Sequence, residues 1–226
     1  MRIFLPLVAV LAVGCAGLPR PGLPASASHV WRLSERDGGA ASACPVVAFE
    51  DDTYLFLTAQ HVTRGWGEVP AGTTLVGWKR TRTLKVIGYA NHARADITVL
   101  TVQGDGLPLP LIPVSTAVHQ PGELIYTVGY PGPTKDWFGY SGYLATKDGT
   151  SSHIERGMSG GALLNSSGDL VGILVAHAGH WKPFIVVGPM GGYIGNLRLD
   201  HHFPEQSYVV HLSPLKSWLR EQLVIE

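Results

Sequence analysis

The stretch RGMSGGALLNSSGDLVGILVA, Arg156 to Ala176, decides the fold class. It sets Ser159 between Gly157 and the pair Gly160–Gly161, runs apolar through ALL, breaks at NSSGD and turns apolar again. A helix after Ser159 would have to carry Asn165, two serines, Gly168 and Asp169 in its second turn, whereas a β-hairpin takes them as its turn. The stretch therefore reads as strand, turn, strand. Glycine costs backbone entropy, so three around one serine point to unusual dihedrals or to a group that approaches the backbone closely. From these residues alone two readings stay open: a tight turn between strands, or a nucleophile whose flanking amides face a substrate oxygen.

Outward from that stretch the same pattern continues. ACPVVAFE, then Asp51-Asp52, then TYLFLTA predicts a hairpin from Ala43 onward. TTLVGWKR, TLKVIGYA and DITVLTVQG follow as strands. DGLPLPLIPVST carries Pro108, Pro110 and Pro113, which breaks any helix and makes a connector. ELIYTVGY, YSGYLATK, FIVVG and SYVVHL complete a second half in the same style. One helix is expected, SPLKSWLREQL, with Ser213 as N-cap, Pro214 at its first position, and Leu215, Trp218, Leu219 and Leu223 on one face.

Bulk properties agree with an all-β chain. Its 226 residues suffice for one large domain or two small barrels sharing a core. The 28 glycines and 16 prolines punctuate short strands, and 45% hydrophobic content describes a globular protein. Seventeen basic residues balance 17 acidic ones, so no electrostatic stripe points to a nucleic-acid partner.

The N-terminus differs from the rest. Arg2 precedes IFLPLVAVLAV, an apolar run too short to span a bilayer, and LPRPGLPASAS reads as a Pro/Ala/Ser linker. The expected organisation is an export signal over 1–14, a linker and N-terminal arm over 15–42, and a folded domain over 43–226. Within that domain a first β unit covers about 43–107, the connector 108–119, and a second unit with the terminal helix 120–226. LAVGCAG resembles the lipobox of bacterial lipoproteins, which makes Cys15 the lipidated first residue of the mature chain, although Ala12 stands where that motif usually has leucine. Cleavage after Ala27 in ASA is the alternative. The expected location is a bacterial cell envelope with a lipid anchor in the membrane, or else a secreted or periplasmic soluble form. With Cys15 lipidated or removed, only Cys44 remains, so no internal disulfide is expected.

Ser159 also satisfies G-x-S-x-G, the nucleophile elbow of α/β-hydrolases. That elbow needs a long helix after the serine and βα alternation around it, and both are missing. On a β scaffold a serine nucleophile needs a base and an orienting acid. His61 follows the strand of YLFLTAQHV at its C-terminal end, where a strand delivers a side chain to a cleft. Asp96 heads the strand of ADITVLTV, the border position of a partly buried acid. Taken singly, each is an ordinary surface histidine or turn-capping aspartate; in the order His, Asp, Ser they form a set.

These segments, LTAQHV, ADITVL and RGMSGGALLN…GDLVGILVA, resemble the three signature segments of trypsin-like (chymotrypsin-fold) serine peptidases, and GELIYTVGYPGP resembles the opening of the second barrel in HtrA-type relatives. The resemblance covers about Ala43 to Leu223. It implies two six-stranded antiparallel β-barrels with a C-terminal helix and an active site between them. It implies a serine endopeptidase acting on protein or peptide, with no cofactor. Ser159 would be the nucleophile, His61 the base, Asp96 its orienting acid, and the amides of Gly157 and Ser159 the oxyanion hole. His153 would lie at the floor of the substrate pocket, and Val175, Ala176 and His177 along one wall; no acid stands at the floor, so a Lys/Arg preference is not implied. Met158 replaces the aspartate that digestive relatives pair with a freshly cut N-terminus, which implies a site that forms without such a cut. A catalytically silent binding module on the same fold is the rival reading, and an α/β-hydrolase esterase using Ser159 a second, disfavoured by topology. His177, His180, His201 and His202 lack an H-E-x-x-H pattern and read as loop residues, not a metal site. Trp137 and Phe138 read as packing at a loop base.

Overall fold

The structure is a computed structural model and describes residues 22–34, 39–77, 81–132, 138–146, 149–150, 154–155, 157–176 and 207–223. β1 (Trp31–Ser34), β2 (Ala40–Ala48), β3 (Thr53–Thr58), β4 (Thr74–Val76), β5 (Thr83–Asn91) and β6 (Thr98–Gln103) close into a barrel in the order β1–β2–β3–β6–β5–β4. The closing ladder pairs Leu33 with Leu75. The β2–β3 hairpin turns at Asp51-Asp52, where Asp52 takes a positive φ of 62° and the Asp51 carboxylate accepts from the Thr53 amide (3.1 Å).

The unbroken apolar run YLFL has a simple cause. Tyr54 and Phe56 point into the barrel among Leu84, Leu100 and Val102, while Leu55 and Leu57 point the other way. There they meet Cys44, Val99 and Ile112, and Val128 and Ile173 from the second half. A strand buried on both faces loses the alternation of a half-exposed one. Each such side chain, once buried, contributes about 1.5–3 kcal/mol.

The second sheet contains β7 (Leu124–Gly129), β8 (Phe138–Thr146), β9 (Gly149–Thr150), β10 (Ala162–Leu164), β11 (Leu170–Ala176) and β12 (Ser207–His211). Its ladders run β10–β11–β12–β9–β8–β7, and β7 pairs back to β10. The joint to β12 through β9 is the single pair Tyr208↔Gly149. Ile125, Leu144, Met158, Leu163, Val171, Leu174 and Val209 form its own core. NSSGD is the β10–β11 turn: the Asn165 side-chain oxygen accepts from the Ser167 and Asp169 amides (2.9 Å each), and Gly168 takes φ +88°. This hairpin excludes the helix that an α/β-hydrolase elbow requires. The Pro-rich connector stitches the halves, with Ile112 N–H donating to Pro45 O (2.9 Å) and Leu170 N–H to Pro113 O (2.7 Å).

Three expectations need correction. The first sheet begins at Trp31, well before Ala43, because β1 is only four residues long and gives too short an alternation to read. The expected linker is part of the fold from Leu23: Ala25–His29 forms a 3₁₀ turn, Ala27 and Val30 are buried in the core between the sheets, and Ser26 Oγ donates to Gly168 O (2.6 Å). Ser213 is not the N-cap of the terminal helix. Ser213 instead opens a 3₁₀ turn (Ser213–Leu215), preceded by the buried Leu212, whose amide donates to Val171 O (3.0 Å), and that turn leads into α1 (Lys216–Leu223). The apolar face is as expected, with Leu219 and Leu223 buried and Leu215 and Trp218 packed beside them. FIVVG lies outside the described residues. Among the described residues no helix is long and apolar enough to cross a membrane.

Candidate active site

β3 ends at Thr58 and runs through the fully buried Ala59 into a 3₁₀ turn, Gln60–Val62, that carries His61. Asp96 sits on the β5–β6 loop and meets His61 with both oxygens: Oδ1 accepts from the His61 backbone amide (2.7 Å) and Oδ2 pairs with ring Nδ1 (2.8 Å). That two-point contact fixes the ring's position and leaves Nε2 turned away from the acid. Partial burial pushes the Asp96 carboxyl up, but the ring hydrogen bond, the backbone donors of His61 and Gln60 and the imidazole's charge outweigh it, so its pKa is held below the ordinary carboxylate value. The sign for stability follows. A depressed carboxylate pKa stabilises the fold above the unfolded value of about 3.9, and that contribution is lost as pH falls through the folded value. Thermal melts from pH 6 to pH 2 should therefore show a shallower acid decline in Asp96→Asn than in the parent.

Ser159, 7% exposed, lies in the turn between residue 157 and β10. Two of its neighbours must be glycine. Gly157 has φ +95° with a Cβ position only 2.6 Å from Gly132 Cα, and Gly160 has φ +80° with its Cβ position against Ser42 O and Thr58 Oγ1. Gly160 thus rests on the end of β3, immediately before the His61 turn, and the first barrel serves as the seat of the serine turn. Ser42, fully buried on β2, supplies most of that seat. Its amide donates to Ser159 O (2.7 Å), its Oγ accepts from the Tyr130 amide (2.8 Å) and donates to Gly157 O (3.4 Å), and its carbonyl accepts from Thr58 Oγ1 (2.7 Å). The Cys44 thiol, whose pKa burial pushes well up, donates to Gly160 O (3.6 Å).

The turn's amides are accounted for one by one. Met158 N–H donates to Glu155 O (3.0 Å), Gly160 N–H to Leu174 O (2.8 Å) and Gly161 N–H to Met158 O (2.8 Å). The amides of Gly157 and Ser159 have no acceptor among the described residues. Met158 is fully buried, its side chain in the core of the second sheet and its Sδ accepting from the Glu155 amide (3.3 Å). Among the described residues no hydrogen bond joins Ser159 Oγ to the His61 ring.

Of the expected pocket residues, Val175 is buried in the core between the sheets, which leaves only its backbone for a ligand, and Ala176 ends β11. His153, His177 and Cys15 lie outside the described residues, as do His180, His201, His202 and Trp137. No group of three or more His, Cys, Asp or Glu among the described residues is placed to hold a metal ion. Ser42, Thr58 and Cys44 escaped sequence reasoning because small polar residues within an apolar strand look like ordinary strand positions. So did Thr63 and Thr98, whose buried hydroxyls meet at 3.1 Å behind the His61 turn.

Comparison with known proteins agrees with this frame. The crystal structure of the serine endoprotease from Yersinia pestis matches with a TM-score of 0.60 at 20% identity, over 88% of this chain and 64% of that one. At that identity the likeness is one of fold, and the chain spans less than two thirds of that protein's length. No curated protein sequence matches. Residues 46–173, more than half of the chain, match the family model of the trypsin-like peptidase domain, and the chain belongs to that family.

Proposed function

We propose that the chain is a serine endopeptidase with two six-stranded barrels and a triad of His61, Asp96 and Ser159. The observation that carries the reading is the convergence of two features: a histidine held at two points by one carboxylate, and a serine turn seated on the strand end before that histidine with two amides unspent among the described residues. The return ladder from β7 to β10 supports the second barrel.

In the proposed reaction Ser159 Oγ attacks the scissile carbonyl carbon as His61 Nε2 takes its proton. Asp96 keeps the Nδ1 proton in place and stabilises the imidazolium. The oxyanion is held by the Gly157 and Ser159 amides, a contribution of about 3–4 kcal/mol per donor in such sites. His61 then gives its proton to the leaving amine, and water releases the acyl group by the same path. By strand alternation Ala176 turns its backbone to the same side as Leu174, which bonds Gly160 and Gly161, so a substrate main chain pairs there as an added strand. Met158 packs where an acid would need an ionic partner, which supports a turn that assembles without a maturing cut. Export with a lipid anchor at Cys15 in a bacterial envelope is part of the same proposal.

The test is fluorophosphonate labelling of the purified chain. Labelling of the parent, lost in Ser159→Ala and in His61→Ala, supports the reading. A folded parent that takes no label refutes it in favour of a silent binding module, and label retained in Ser159→Ala moves the nucleophile elsewhere.

A further inference from the structure

The loop that presents Asp96 is gripped by a second histidine. The amides of Arg94 (3.1 Å) and Ala95 (2.8 Å) both donate to His92 Nδ1. A ring nitrogen that accepts from two N–H groups carries no proton, so the His92 proton resides on Nε2. The base of the loop is closed by His92 N–H to Ile97 O (3.0 Å) and Ile97 N–H to Ala95 O (2.8 Å). On its other side the His92 ring meets Trp218 of α1 edge to face, with centroids 4.9 Å apart and planes at 90°. Ala95 and Trp218 both pack on the core between the sheets. The helix that ends the second half therefore braces a ring that holds the Arg94–Ala95 segment leading into Asp96.

We propose that His92 is a positioning residue for Asp96 and that protonating it releases the loop; this rests on the reading of His61 and Asp96 as a catalytic pair. A protonated Nδ1 is a donor facing two donors, and both loop bonds are lost. The Arg94–Ala95 peptide is then free to turn, and the segment that leads into Asp96 no longer holds the carboxylate against the His61 amide and ring. The titratable and charged groups on the elements around the ring are Arg94, Asp96 and, through Asp96, His61 on the loop side. On α1 they are Lys216, Arg220 and Glu221, all exposed. Acidification thus acts on the site twice: at His61, which must be neutral to accept the serine proton, and at His92, which must be neutral to hold Asp96.

Three substitutions separate this role from mere packing. In His92→Asn the side-chain oxygen occupies the place of Nδ1 and can accept the same two amides as an Asx turn. In His92→Gln the oxygen reaches the place of Nε2 instead, and His92→Ala has no acceptor. Fluorophosphonate inactivation rates across pH 4.5–8 should fall more steeply on the acid side in the parent than in His92→Asn. At neutral pH His92→Ala and His92→Gln should lose about tenfold or more, the scale of lost second-contact support in other sites. His92→Asn should recover most of that loss. Independently of activity, the Arg94 and Ala95 amide resonances should move together with pH in the parent, and by much less in His92→Asn. Equal rates in all three variants, an acid fall in the parent no steeper than in His92→Asn, or stationary amides in the parent would overturn the proposal. A parent that takes no label refutes the peptidase reading, while the amide titration still decides the grip of His92; it decides also if the variants fail to fold.

Discussion

Ser159→Ala is expected to lower kcat/KM on a peptide substrate by about 10⁶-fold, the scale found when a serine nucleophile is removed from a working triad. The fold should hardly register the change. Ser159 contributes its carbonyl to the Ser42 amide, which alanine keeps, and its hydroxyl makes no hydrogen bond among the described residues. A melting temperature within a few degrees of the parent is the expected control. His61→Ala should cost as much, and the double variant no more than either, because the two residues act in one step. Asp96→Asn should cost about 10⁴-fold, since the amide no longer fixes the ring's proton. Additive losses in the double variant would count against a shared proton transfer.

Met158→Asp should unfold the second half. The side chain is fully buried among Ile125, Leu144, Leu163, Val171, Leu174 and Val209, all apolar. An unpaired carboxylate there either stays charged without a partner or takes up a proton at a cost, in all about 4 kcal/mol or more. Against a total stability of about 5–15 kcal/mol this is a large fraction. Met158→Leu, which conserves volume, should cost under about 1.5 kcal/mol and mainly lose the acceptor for the Glu155 amide. Urea midpoints of the three proteins check the order. An aspartate variant as stable as the parent would mean that a basic group reaches this position after all.

Why some of this was legible in the sequence and some not follows from range. NSSGD and Asp51-Asp52 declare their turns because the side chains that build them bond to backbone two to four residues away. His61 and Asp96 were legible from their places at strand ends. β1 was not, since four residues next to a Pro/Ala/Ser stretch give no period to measure. Ser42 was invisible for another reason: its partners Tyr130, Gly157 and Ser159 are 88 to 117 positions away, and only the meeting of the two sheets gives the side chain its task. The Ser213 cap failed because burial of Leu212 overrode a local preference.

The arm that precedes β1 limits where the proposed export processing could cut and where the proposed peptidase could work. A cut after Ala27 would discard the Leu23 contact with Gly139, the Ser26 bond to Gly168 and a buried alanine, and would place a new ammonium two residues from the buried Val30. A cut that spares the fold falls before Leu23. Under the proposed lipidation of Cys15, the eight residues from there to Leu23 could span at most about 28 Å, comparable to the hydrocarbon thickness of one bilayer. The side of the molecule bearing β8 and the β10–β11 turn would then be moored near the headgroups, and the substrates within reach would be those that come close to the membrane surface.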